Sequence, residues 1–135
     1  MRRTPPPSRR APPPRRAPRA LSAAAAAALA RLERLLADWD GVERTTTFGH
    51  PTFRVAGAAF AVLDRYQQHD CLWLKVPPQE RDARLATPGW FAAPYDPRQT
   101  ALCVRLDAID WRRIRPLLRI SYALVGGADR RAPPR

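Results

Sequence analysis

The sequence predicts an α+β domain, a sheet covered by helices on one side. Three observations carry that reading. Apolar residues recur at helical spacing over about residues 22–38 and again beyond Asp110. Between them lie short segments rich in β-branched and aromatic residues that alternate with period two. The composition also changes abruptly near residue 20, from Arg and Pro to periodic apolar sequence.

Residues 1–19 hold seven Pro and seven Arg, with no acid and no large apolar side chain after Met1. Such a segment cannot bury a core, and its proline runs favour extended polyproline II, so a disordered tail is expected. Residues 126–135 repeat the idea in shorter form, which leaves 20–125 as the domain. The net charge of +12 sits mainly in these tails. Residues 1–19 contribute +7 and 126–135 contribute +2, whereas 20–40 sum to −1 and 41–125 to +4. Arg-rich sequence followed by "ALSAAAAAALA" imitates a secretory leader. The run nevertheless passes straight into "RLERLLADW" at helical spacing, which favours a helix of the domain over a cleaved signal. No stretch approaches the ~20 apolar residues of a membrane span. A cytoplasmic chain is expected, with Cys71 and Cys103 as reduced, buried thiols; a disulfide is open to them only on neighbouring strands.

Ser22 is the expected N-cap of the first helix, in which Leu29, Leu32, Leu36 and Trp39 form one apolar stripe ended by Asp40-Gly41. "TTTF" and "TFRV" read as strands reversed by a Gly49-His50-Pro51 turn, and Ala56-Gly57 connects the second to "AAFAVLD". "CLWLKV" sets Leu72, Leu74 and Val76 on one face against Cys71, Trp73 and Lys75. Pro77 and Pro78 stop it and open a short helix, and "ALCVRL" alternates Leu102, Val104 and Leu106 against Cys103 and Arg105. Asp110 is the expected cap of the last helix. Pro116 conflicts with an unbroken one, so either a kink there or a start near Arg115 is expected.

Four blocks, "GVERTTTFGHPTFRVAGAAFAVL", "CLWLKVPPQER", "ALCVRLDAIDW" and "LLRISYALV", together resemble the MmcQ/YjbR family of small bacterial proteins, over about residues 21–125. The matching positions are Gly49 to Val55, Lys75 to Pro78, and the closing Ser121-Tyr122 pair. Pro116 and the Arg/Pro tails have no counterpart. The resemblance implies a curved antiparallel sheet with two hairpin wings, flanked by an N-terminal helix, a short middle helix and a C-terminal helix. It also implies DNA binding without catalysis.

The residues themselves offer several chemistries. His50 can hydrogen-bond a backbone carbonyl in a turn or act as an acid or base, yet no nucleophile partner is evident, since the serines are only Ser8, Ser22 and Ser121. His50, His69, Cys71 and Cys103 lack the Cys-x-x-Cys spacing of a zinc site, so neither metal nor cofactor is expected. Lys75 is the lone lysine beside 23 arginines. That fits a need for a compact ammonium, and it equally fits chance survival on a solvated strand. If the strands are neighbours, Arg54, Trp73, Lys75 and Arg105 share the face opposite the core, as an aromatic among cations suited to nucleic acid or as an ordinary half-exposed sheet. Arg112, Arg113, Arg115 and Arg119 form a basic surface on the last helix.

The expectation is thus a non-enzymatic DNA-binding protein with no catalytic residue and no membrane partner. Its interface would comprise Arg54, Trp73, Lys75, Arg105, Arg112 and Arg113, and its tail would add sequence-independent phosphate contacts. Two alternatives stand beside it: a protein-interaction module, and a ligand binder or enzyme using a pocket near His50 and Lys75.

Overall fold

A computed structural model describes residues 21–126; the Arg/Pro tails, and the expectation that they are disordered, lie outside the described residues. The order is α1 (Ala23–Leu36), β1 (Glu43–Thr47), β2 (His50–Val55), β3 (Ala58–Tyr66), β4 (His69–Lys75), α2 (Arg81–Leu85), β5 (Trp90–Ala92), β6 (Ala101–Arg105) and α3 (Ile114–Leu124). The strands form one open antiparallel sheet in the order β1-β2-β3-β4-β6-β5. Among the described residues no helix is long and apolar enough to cross a membrane.

The expected stripes do the packing. Leu32, Leu36 and Trp39 from the α1 region, and Ile114, Leu118 and Tyr122 from α3, bury one face of the sheet against Phe53, Val55, Phe60, Leu63, Leu72, Leu74 and Val104. Each such side chain contributes about 1.5–3 kcal/mol by leaving water. Phe60 stacks on Trp39 at 6.4 Å between ring centroids, and both meet Tyr122 edge-on at 5.5 and 5.3 Å. The Ser22 hydroxyl caps α1 by accepting the Ala25 N–H at 3.0 Å and donates to Asp70 at 2.6 Å, which pins the start of the helix to β4.

Where Phe53 pairs with Ala61 but Arg54 with Ala59, the register shifts by one residue, and this β-bulge sends both Phe60 and Ala61 into the core. The β3–β4 ladder runs no further than Ala61 against Leu74. Ser121 takes over there: its buried hydroxyl donates to the Phe60 carbonyl at 2.5 Å and accepts the Lys75 N–H at 2.9 Å. Tyr122 donates to the Asp40 carbonyl at 2.6 Å and so ties α3 to the end of the α1 region. The Ser-Tyr pair is therefore structural.

Four local expectations change. The β1–β2 turn is Phe48-Gly49, with φ of 50° and 84°, so His50 and Pro51 already belong to β2. A two-residue hairpin turn with both φ positive follows the right-handed twist of its strands, and that geometry overrides the β propensity of Phe48. The helix α1 stops at Leu36, before Asp40-Gly41. Asp110 does not cap α3. It holds the preceding turn through the Arg112 and Arg113 N–H groups, while Pro116 sits in the first turn of α3, where its missing N–H costs nothing. Trp90–Ala92 is a strand that no alternation announced, because it is only three residues long and lies at the sheet edge.

A candidate nucleic-acid interface on the open sheet face

Cross-strand partners point to the same side of a sheet, so the register fixes the face that α1 and α3 leave open. Thr52 pairs with Val62, Val62 with Trp73, Trp73 with Cys103, and Cys103 with Phe91. Arg54 and Lys75 continue this face toward one end of the strands, and Asp64, Cys71 and Arg105 toward the other. The structure thus brings Arg54, Trp73, Lys75 and Arg105 onto one face, as strand parity anticipates. Arg112 and Arg113 are elsewhere: they stand in the turn leading into α3, in the helix layer, with side chains 94% and 86% exposed.

The cations on this face are held in two different ways. Arg54 donates from Nε to Thr45 Oγ1 at 3.2 Å and from Nη2 to Thr47 Oγ1 at 3.1 Å. The Thr52 hydroxyl completes the grid, at 3.0 Å from Thr47 Oγ1. Lys75 Nζ lies 2.8 Å from Thr100 Oγ1 and 5.3 Å from the centroid of the Trp73 ring. A hydroxyl orients a cation and leaves its charge intact, whereas a carboxylate cancels it. Arg105 is of the second kind, bound to Asp107 at 2.8 Å. The crowd of threonines in "TTTFGHPT" is thereby explained: Thr45, Thr47 and Thr52 clamp the β1–β2 hairpin and aim one guanidinium.

Beneath this polar layer lies a second, smaller core. Cys71, Cys103, Ala93 and Ala101 are buried together, with Tyr66, Trp73 and Phe91 packed on them. The two thiols are free and lie on the neighbouring strands β4 and β6, in diagonal register. A hydrogen bond with Cys71 and burial push the Cys103 pKa far above the ordinary thiol value. Burial, with a hydrogen bond to Asp64, likewise raises Tyr66. A thiol held this firmly protonated is a poor nucleophile and a poor metal ligand. Among the described residues no group of three or more His, Cys, Asp or Glu side chains is arranged to hold a metal ion.

His50 has a carboxylate as its partner: its Nε2 is 3.3 Å from Asp64 Oδ1. Through Asp64 it lines up with Cys71, so Lys75 is four residues further along β4, about 13 Å, and two strands away. His50 and Lys75 do not share a pocket. Sequence reasoning missed the partners, Thr45, Thr47, Asp64 and Thr100. Strand parity gave a signal for the threonines, but their pairing with Arg54 depends on a register that no sequence pattern states.

A family model described as YjbR matches residues 37–124, well over half of the chain. The chain belongs to the YjbR family. A crystal structure of Deinococcus radiodurans protein DR2400, described as a DUF419 domain, is similar at 24% sequence identity, with a TM-score of 0.62 over 72% of this chain and 77% of that one. At that identity the similarity speaks for the fold alone. No curated protein matches the sequence. The matched region begins at Ala37, so it takes in the whole sheet and all of α3 and leaves out α1.

Proposed function

We propose that this YjbR-family chain is a non-enzymatic DNA-binding protein whose domain meets the duplex with the open sheet face. The observation that carries the reading is the pairing of Arg54 and Lys75 with threonine hydroxyls, on the face that also presents the half-exposed Trp73. Charges that are oriented but not neutralised are prepared for phosphate oxygens, and an indole beside them offers a surface for a sugar or base. Phe48 adds to this reading. It is 96% exposed at the apex of the hairpin that Arg54 and the threonines stiffen. The Arg-rich residues 1–19 supply sequence-independent attraction, in keeping with their seven positive charges.

The test is a titration of the full chain with a DNA duplex at several salt concentrations. Each neutralised phosphate contributes roughly −0.9 to the slope of log affinity against log salt, so full engagement of the tail gives a slope near −6. Replacing the seven tail arginines with Gln is expected to flatten the slope by no more than that maximum. Arg54→Gln and Lys75→Gln are expected to lower affinity roughly tenfold each, as loss of a charge-assisted hydrogen bond does. Absence of DNA binding by the full chain at low salt overturns the reading. Binding that only the tail variant loses removes the sheet face from it.

A further inference from the structure

The ring at the tip of the β1–β2 hairpin is almost bare. Phe48 is 96% exposed at φ 50°, so it gains little from packing and holds a conformation better suited to Asn or Gly. The tip projects clear of the domain, since a Cβ built on Gly49 meets no atom within 4 Å. Behind it the hairpin is braced: Thr47 pairs with His50 at the end of the ladder and is bound by both Thr52 and Arg54. One guanidinium nitrogen of Arg54 is thereby drawn up to the residue next to Phe48. The acids at this end of the strands are each engaged, Asp64 with His50, Asp70 with Arg65 and Asp107 with Arg105. The β3–β4 hairpin turns at the same end through Gln67 and Gln68, both exposed, at φ 51° and 70°. By strand spacing the two tips stand about 10 Å apart across the sheet.

From this arrangement we infer that Phe48 is a wedge that enters a base step from the minor groove, and that the hairpin's partner is DNA that unstacks readily. The inference rests on the DNA reading and adds to it a binding mode and a class of preferred duplex. An apolar ring inserted between two base pairs exchanges water for two π-faces, which offsets part of the cost of unstacking them. A wedge must be stiff and must protrude, and the braced tip is both. Insertion also needs a cation close behind the ring to hold the flanking phosphate, a place that Arg54 fills. The minor-groove edge of A·T pairs carries acceptors only, and the Gln67 and Gln68 amides can donate to them. Because the unstacking cost depends on sequence, such a wedge discriminates among duplexes by their deformability.

The test uses the full chain and three duplexes that differ only at the centre: a stiff run of A·T pairs, a flexible TA step, and a single mismatch. The parent is expected to bind the mismatch about tenfold more tightly than the A·T run, with the TA step between them. A fluorescent purine analogue at the central step is expected to brighten on binding, as an unstacked base does. In Phe48→Asn the three affinities are expected to converge to within about twofold and the brightening to vanish, whereas Phe48→Trp keeps both. Tyr95→Asn is the control. Tyr95 is equally exposed and also has a positive φ, 58°, but its loop precedes β6 at the opposite end of the strands, so the discrimination is expected to persist. The tail is common to every variant, so its attraction to DNA cancels in the comparison. Absence of DNA binding by the parent overturns the DNA reading and this inference together. Binding without discrimination, or equal discrimination by Phe48→Asn, overturns the wedge alone. Self-association of the parent that Phe48→Asn abolishes, with its DNA preference unchanged, assigns the ring to a second copy and overturns the wedge as well.

Discussion

The two faces of the sheet use the same strands for different ends. Toward the helices β3 and β4 present Phe60, Leu63, Leu72 and Leu74, all buried beneath α1 and α3. Toward the open side they present Asp64, Tyr66, Trp73 and Lys75, each held by a named polar or ring contact. On the first face, removal of apolar area from water gives most of the stability, and any side chain of the right volume serves. On the second, only the small cluster around Cys71 and Cys103 is buried, and the polar contacts fix direction. A residue on the helix face is therefore read from stability, and one on the open face from what it binds.

The largest effect expected is Phe60→Ala, which deletes a ring stacked on Trp39 and edge-on to Tyr122 and is expected to cost about 3–5 kcal/mol. Trp73→Ala is a larger deletion on the other face, yet only half-buried, and is expected to cost about 1–2 kcal/mol in the same urea denaturation. Equal losses would mean that the open face is a second true core, and the contrast would collapse.

Ser121→Ala comes next. It leaves the Phe60 carbonyl and the Lys75 N–H without their partner at the bulge, for a cost of about 2–3 kcal/mol. Thr47→Val on the open face removes a partner of Arg54 that water can replace, and less than about 1 kcal/mol is expected. A Ser121→Ala variant of parental stability would show that the bulge satisfies itself.

What the sequence could and could not reveal divides along the same two faces. Helix type, strand parity and the apolar core were legible, because each rests on a period within one segment: Leu32 and Leu36, or Leu72 and Leu74. The resemblance to the YjbR family and the sharing of a face by Arg54, Trp73, Lys75 and Arg105 were also legible. The clamp of Arg54 by Thr45 and Thr47 and the His50–Asp64 contact were not. Each joins residues from different elements, and their meeting is set by register rather than by local pattern. Phe48 misled for a related reason: a β-former was read as strand where the twist of the hairpin demanded a turn.

A smaller effect is expected from pH. The unfolded Cys103 thiol ionises near 9, whereas the folded one is held protonated by Cys71 and by burial. A raised folded-state pKa gives stability that is intact below pH 9 and lost as pH rises above it, because only the unfolded chain releases the proton. About 1 kcal/mol is expected to be lost by pH 10, with Tyr66 adding to the loss above that. Urea midpoints between pH 7 and 10 check the sign, and both thiols should stay silent to a thiol reagent at pH 8 until the protein unfolds. Prompt reaction of either thiol would show that the small core on the open face is permeable.

The smallest expected change separates the two roles most cleanly. Phe48 holds a left-handed conformation, φ 50°, that a bulky side chain tolerates poorly, and its ring is 96% exposed, so it returns almost nothing in packing. Asn occupies that position of such a turn with less strain. Phe48→Asn is therefore expected to stabilise the domain, by about 0.5–1 kcal/mol. If the hairpin apex contacts bases, the same change is expected to weaken DNA affinity by about 1–3 kcal/mol, the worth of one aromatic stack, without altering the salt slope that reports phosphate contacts. Higher stability with lower affinity marks a residue retained for binding at the expense of its own turn. Higher stability with unchanged affinity leaves the sheet face as the interface and removes the apex from it. A loss of stability would mean that Phe48 packs on something in solution, and the hairpin would then belong with the helix face as a structural element.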